Sequence, residues 1–275
     1  MLLEKAKEYA QDCVSGKEIT TFEVKMQCKW FLEDLEKQNN DYYPYYFDTK
    51  QIGIIEGILK LLNFATGLHI VDKSIYEGLE NFQAFFIANI FGWRYKTDAK
   101  KYRYREVDLF IPRKNTKTFL AALIFIILML TEDDYSEFYS ICLDRDLAGE
   151  VKKAISQILN VSPSVGQYFN IPKTLSGRLE CTLTHSFYQP RTAEANRNNS
   201  IKPSAFIADE FGAMKDNSNV EAMKSGQLNI RNPLMFRLTS AYAEDKSIML
   251  GELDYLKKIY KGLETDERLF ALVYY

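Results

Sequence analysis

After residue 105 short β-branched and aromatic runs alternate with stretches of helical spacing, and this alternation leaves few folds open to the chain. The apolar runs are 107–111, 137–143, 178–185, 205–209, 235–241 and 269–274, and helical spacing fills 118–130, 147–159 and 248–260. Strands that return through helices run parallel, so the pattern predicts an α/β domain with a doubly wound, largely parallel sheet. In such sheets ligands gather beyond the carboxyl ends of the strands. The first hundred residues read differently. Leu3, Ala6, Tyr9 and Ala10, then Phe22, Met26, Trp30, Phe31 and Leu35, have the spacing of two amphipathic helices. Asn39 to Tyr46 breaks the pattern. A third helix then starts with Asp48 or Thr49 as its N-cap, and a fourth covers 79–91 and ends at Gly92. No strand is expected before residue 101, and residues 188–202, rich in Arg and Asn, read as a long surface connection.

Composition narrows the function classes. With 47% apolar and 26% charged residues among 275, the chain has the balance of a soluble globular protein. A net charge of -2 excludes a globally basic nucleic-acid binder. One local strip, Arg94 to Arg105, interleaves basic residues with tyrosines. It reads either as a surface for phosphate and bases or as a solvated connection into the first core strand. The longest apolar run, 119–130, falls short of the roughly 20 residues that cross a bilayer, so no membrane partner is expected. The four cysteines lack metal-ligand spacing and predict reduced thiols. With His69 and His185 as the only histidines, a His-based zinc site or a Ser-His-Asp triad is poorly supported.

The run 107–111 leads into Ile111-Pro-Arg-Lys-Asn-Thr-Lys-Thr118 and then into a long apolar helix. That is the position of a phosphate-binding loop. Aligned on G-x-x-x-x-G-K-[ST], Ile111 and Thr116 replace the two glycines, while Lys117 and Thr118 match. Lysine at this place reaches β/γ-phosphates, the threonine hydroxyl coordinates Mg²⁺, and backbone N–H groups at a helix N-terminus face an anion. A basic turn capping an ordinary helix is the competing reading. Ala205-Phe-Ile-Ala-Asp-Glu210 is an apolar strand ending in two carboxylates, one suited to Mg²⁺ and the other to polarising an attacking water. Thr239 and Ser240 close the next apolar run with hydroxyls suited to a γ-phosphate or the catalytic water. Upstream, the Gln83 amide can pair with an adenine edge while Phe82 supplies an apolar face.

Taken in order, these segments make the chain resemble the large terminase subunit of tailed bacteriophages, from about Tyr45 to Tyr275. Phe82-Gln83 followed by Ile90-Phe-Gly-Trp93 is similar to that family's adenine motif. Pro112-Arg-Lys-Asn-Thr-Lys-Thr118 is similar to its glycine-poor P-loop, with Thr116 a departure from the usual glycine. Asp144-Arg-Asp-Leu-Ala148, Ile207-Ala-Asp-Glu210, Arg231-Asn-Pro-Leu234 and Thr239-Ser-Ala241 follow in the family's order. The resemblance implies a P-loop NTPase of the additional-strand catalytic-glutamate type, whose mostly parallel sheet is flanked by helices behind an N-terminal helical region. It implies residues 1–100 as that helical region with the adenine motif and 101–265 as the ATPase core. Residues 266–275 would then begin a connection to a nuclease domain. The clustered metal-binding carboxylates of such a domain are not seen in this sequence, and DNA cleavage is not expected from it.

The implied function is an ATP- and Mg²⁺-dependent motor domain that moves double-stranded DNA into a procapsid in the cytoplasm of a bacterial host. Its implied partners are a portal protein, a small terminase subunit and further copies of itself in a ring; in isolation it would be a monomer. Pro112, Arg113, Lys114, Asn115, Thr116, Lys117 and Thr118 would bind phosphates, with Phe82 and Gln83 at the base. Thr118 and Asp209 would hold Mg²⁺, Glu210 would activate water, and Thr239 and Ser240 would sense the γ-phosphate. Arg113 would stabilise charge in cis and Arg231 in trans. A helicase-like DNA translocase shares several of these motifs. A non-hydrolysing interaction module with a degenerate P-loop is the reading from a different class.

Overall fold

Residue spacing in the N-terminal region folds as expected in the computed structural model, which describes residues 1–67, 70–71, 73–143, 145–174, 176–192, 198, 201–240 and 247–275. Helix α1 (Leu2–Ser15) stops at Gly16, whose φ of 84° gives the left-handed cap that glycine adopts without strain. Helix α2 (Phe22–Lys37) starts where the Thr21 hydroxyl accepts from the Val24 amide. After β1 (Tyr45–Phe47), the Asp48 carboxylate caps α3 (Thr49–Leu61) by accepting from the Gln51 amide. A short α4 (Ile75–Gly78) precedes α5 (Asn81–Gly92), which is almost wholly buried.

Strands β2 (Trp93–Tyr95) and β3 (Asp98–Tyr102) join β1 in a three-stranded antiparallel sheet that residue spacing does not predict. The physical reason is that Tyr45–Phe47 finds its partner in Trp93–Tyr95, far along the chain, and such short segments carry no period of their own. This hairpin also resolves the basic strip. The Arg94 guanidinium lies 3.7 Å from the Tyr102 ring centroid, and Arg103 Nη1 sits 2.6 Å from Asp34 Oδ2. Both cations are buried in packing, which leaves the strip far from a continuous basic surface.

The main sheet is built from β4 (Glu106–Phe110), β5 (Glu137–Cys142), β6 (Phe169–Asn170), β7 (Leu179–Cys181), β8 (Phe187–Thr192), β9 (Ala205–Asp209), β10 (Leu234–Thr239) and β11 (Leu269–Val273). Their order is β11-β4-β10-β9-β5-β8-β7-β6, parallel from β11 to β8 and antiparallel at β7 and β6. Strand β10 is thus inserted between β4 and β9, the arrangement expected of an additional-strand P-loop fold. The crossovers use α6 (Lys117–Thr131), α7 (Arg145–Asn160), α8 (Pro163–Gly166), α9 (Ser218–Ser225) and α10 (Ile248–Tyr260). On one face α1, α5 and the apolar α6 form the larger core; on the other, Phe211, Met223, Met249, Leu256 and Tyr260 cover the strands. Among the described residues no helix is long and apolar enough to cross a membrane.

One expectation changes. The run 178–185 supplies only β7, while β8 lies in the segment expected to be a surface connection. Pro190 argues against a strand. Among the described residues β7 pairs only with Phe187 and Tyr188, which leaves Pro190 beyond the β7 pairing, where a missing N–H is tolerated. The run 269–274 supplies β11, which pairs with β4 in the main sheet.

A buried charge cluster ties β4 to β10 behind the site. Arg237 Nε lies 2.6 Å from Asp108 Oδ1, its direct cross-strand neighbour, and Arg237 Nη2 lies 2.9 Å from Glu252 Oε1 and 3.3 Å from Glu106 Oε2. Burial, followed by the adjacent Asp108 carboxylate, pushes the Glu252 carboxyl up to about 7. A carboxyl raised above its unfolded value of 4.5 binds its proton more tightly in the folded state. Its contribution to stability is therefore fully present below the unfolded value and lost as pH rises through about 7. Thermal melts between about pH 5 and about pH 8 are expected to show wild type losing stability relative to Glu252→Gln as pH rises. Parallel curves for the two proteins would contradict this.

Candidate functional site

Parallel register collects the predicted residues at one edge of the main sheet. Thr239 pairs with Phe110 and Leu238 with Asp209, so the loop after β4, the carboxylates after β9 and the hydroxyls after β10 emerge side by side. The loop is rooted where the Ile111 amide donates to the Thr239 carbonyl at 3.0 Å. Asn115 Nδ2 donates back to the Pro112 carbonyl at 3.0 Å, closing the turn. Lys114 and Thr116 both adopt left-handed backbone, with φ of 69° and 63°. Thr116 ends the loop, and α6 begins at Lys117 with its first-turn N–H groups at the loop's mouth.

Lys117 Nζ donates to Asp209 Oδ1 at 2.8 Å and to Glu210 Oε1 at 2.5 Å, across separations of 92 and 93 residues. Glu210 is itself left-handed, with φ of 52°, and its amide donates to Asp209 Oδ1 at 3.0 Å. That turn presents both carboxylates to one ammonium group. A cleft of about 580 Å³ opens here, lined by Thr66, Pro112, Arg113, Lys114, Thr116, Lys117, Thr118, Phe119, Leu147, Glu210 and Ser240. A second cleft of about 500 Å³ lies beyond Pro112 and Asn115, walled by Tyr9, Glu18, Glu80, Phe82 and Tyr274 among others. Together they offer a charged chamber beside a partly aromatic one.

Two candidates, Gln83 and Thr239, stand elsewhere than expected. Gln83 is buried and does not line the second cleft; its Nε2 donates to Thr116 Oγ1 at 2.8 Å, and its Oε1 accepts from the Glu80 amide at 3.0 Å. Thr239 is also buried: its hydroxyl accepts from the Gly212 amide at 3.0 Å and donates to the Ser240 carbonyl, so only Ser240 reaches the chamber. Arg231 precedes β10 and pairs with Asp98 at 2.8 Å. It therefore sits at the opposite end of the sheet, a strand length of roughly 15 Å or more from the carboxylates. Asp144 and Ala241 lie outside the described residues. Thr66, Tyr9, Glu18 and Tyr274 have no local sequence signal, because only folding brings them to the loop.

Thr118 and Asp209 offer hard oxygen donors of the kind Mg²⁺ selects, and the Lys117 ammonium already shows that a cation is favoured between the carboxylates. Among the described residues no group of three His, Cys, Asp or Glu side chains is arranged to hold a metal by itself.

The family model described as "Terminase large subunit, ATPase domain" matches residues 81–258, more than half of the chain. Among solved structures, the HK97 bacteriophage large terminase is similar at a TM-score of 0.65 and 18% identity, over 83% of this chain and 44% of that protein. The chain thus spans less than half the length of that terminase. The large terminase of a thermophilic bacteriophage in complex with ADP is similar at a TM-score of 0.45 and 12% identity, over 62% of this chain and 40% of that one. The ATPase domain of the Thermus phage P74-26 large terminase is similar at 0.43 and 12%, over 51% and 61%. Comparison with curated proteins yields no match. The match to the family model over residues 81–258 shows that the chain belongs to the terminase large-subunit ATPase-domain family.

Proposed function

We propose that this chain binds Mg-ATP in the 111–118 loop and hydrolyses it as the ATPase domain of a motor that drives double-stranded DNA into a viral procapsid. The observation that carries the reading is the meeting of Lys117 with Asp209 and Glu210 at the carboxyl edge of a parallel sheet. In a basic turn that merely caps a helix, nothing calls for the lysine to meet two strand-end carboxylates.

Lys117 Nζ is shared between the Asp209 and Glu210 carboxylates. The β/γ-phosphates, cradled by the 112–118 backbone and the α6 N-terminus, draw the ammonium toward themselves and away from the Glu210 carboxylate. Glu210 then accepts a hydrogen bond from the attacking water and takes its proton. Thr118 and Asp209 would hold Mg²⁺, which would supply positive charge against the phosphates. Arg113, in the same cleft, adds positive charge in cis. Ser240 faces the chamber, and Thr239 links it through Gly212 to the turn that carries Glu210, a route by which γ-phosphate loss reaches β10. The second cleft, with Phe82 on its wall, takes the adenine.

The partners that fit this role are double-stranded DNA, a portal protein, a small terminase subunit and like subunits in a ring, within the host cytoplasm. Arg231 reaches a nucleotide only if the ring presents it to a neighbour's site. By this reading residues 1–100 form the base-binding region and 101–265 the motor core, which β11 completes. Isothermal titration of Lys117→Ala is expected to weaken Mg-ATP binding by about tenfold or more, the value of one to two charge-assisted hydrogen bonds. An unchanged affinity would remove the phosphate role from this loop.

A further inference from the structure

We infer that Gln83 is a positioning residue for the phosphate loop, holding Thr116 in the left-handed conformation that a glycine would otherwise supply. The inference rests on the ATP-binding reading above. Thr116 stands where the loop pattern calls for glycine, and its φ of 63° lies in a region that β-branched residues enter only as outliers. Something outside the loop must hold it there.

The orientation of the Gln83 amide is fixed by its neighbours. Its Oε1 accepts from the Glu80 backbone N–H, a group that can only donate, and this turns Nε2 toward Thr116 Oγ1 at 2.8 Å. The reciprocal bond, donated by the Gln83 backbone N–H to the Glu80 carboxylate, completes a capping box at the start of α5. Gln83 is thereby locked before any ligand arrives, and its side chain is not part of the second cleft. The hydroxyl of Thr116 is what makes the brace possible; glycine would offer no acceptor and would need none. The same turn of α5 places Glu80, Asn81 and Phe82 on the second cleft's wall, so one short segment touches both the base-side chamber and the phosphate loop.

Two probes separate this role from base reading: Mg-ATP and Mg-tripolyphosphate, which has no base. Isothermal titration on the whole chain is expected to show Gln83→Ala weakening both by the same factor, about tenfold for one lost hydrogen bond on a strained residue. Thr116→Val, at an exposed position that leaves the fold intact, is expected to give the same loss on both probes. Thr116→Gly binds both at least as tightly as wild type, and adding Gln83→Ala to it costs less than about twofold, because glycine needs no brace. A loss confined to Mg-ATP in Gln83→Ala, or an equal loss in the Thr116→Gly background, overturns the inference while leaving the ATP reading standing. Wild type binding neither probe overturns both.

Discussion

Glu210→Gln is expected to bind Mg-ATP with wild-type affinity while its steady-state hydrolysis falls by about 10²–10⁴-fold, the range a positioned general base contributes. Glutamine keeps the size of the side chain and an oxygen that accepts from Lys117, so the contact at 2.5 Å and the left-handed turn at φ of 52° are retained. Only the capacity to take a proton is removed. Titration with Mg-ATP beside a phosphate-release assay checks both halves of the claim. Turnover near the wild-type rate in Glu210→Gln would sink the assignment of the base, whatever the binding result.

Arg237→Met is expected to lower the free energy of unfolding by about 3–5 kcal/mol, the cost of leaving buried carboxylates without their counter-charge. Asp108 is 0% exposed and faces Arg237 across the β4–β10 pairing, with Glu106 and Glu252 on the same guanidinium. Lys224 relieves Glu106 at 2.6 Å but is not paired with Asp108. Urea denaturation would measure the loss, and adding Asp108→Asn should recover part of it by removing the orphaned charge. A loss below about 1 kcal/mol would mean that the cluster is hydrated or already protonated. The consequence reaches the site, because β4 leads into the phosphate loop and β10 into Thr239 and Ser240.

Long elements with a clear period were legible before any coordinates. The apolar α6 and α10, the strand Ala205–Asp209 and the Asp48 cap of α3 follow from spacing and local chemistry, which act within a few residues. The loop–carboxylate constellation was legible for the same reason, since each part is a strand end followed by residues of defined chemistry. The small antiparallel sheet and β8 were not. Both depend on pairing between distant segments, and β8 carries a proline that local rules place outside a strand.

By itself the sequence determined which residue types stand at the strand ends and that a parallel sheet would carry them, because residue types and periods are local properties. Only the tertiary structure decided which of those side chains face a ligand. Gln83 turned out to hold Thr116, Thr239 to hold Gly212, and Arg231 to lie at the far end of the sheet, while Tyr9, Glu18 and Tyr274 came to wall the second cleft. A donor or acceptor in sequence is uncommitted; its partner is chosen when packing excludes water and each buried polar group must be satisfied by whatever the fold has brought within reach.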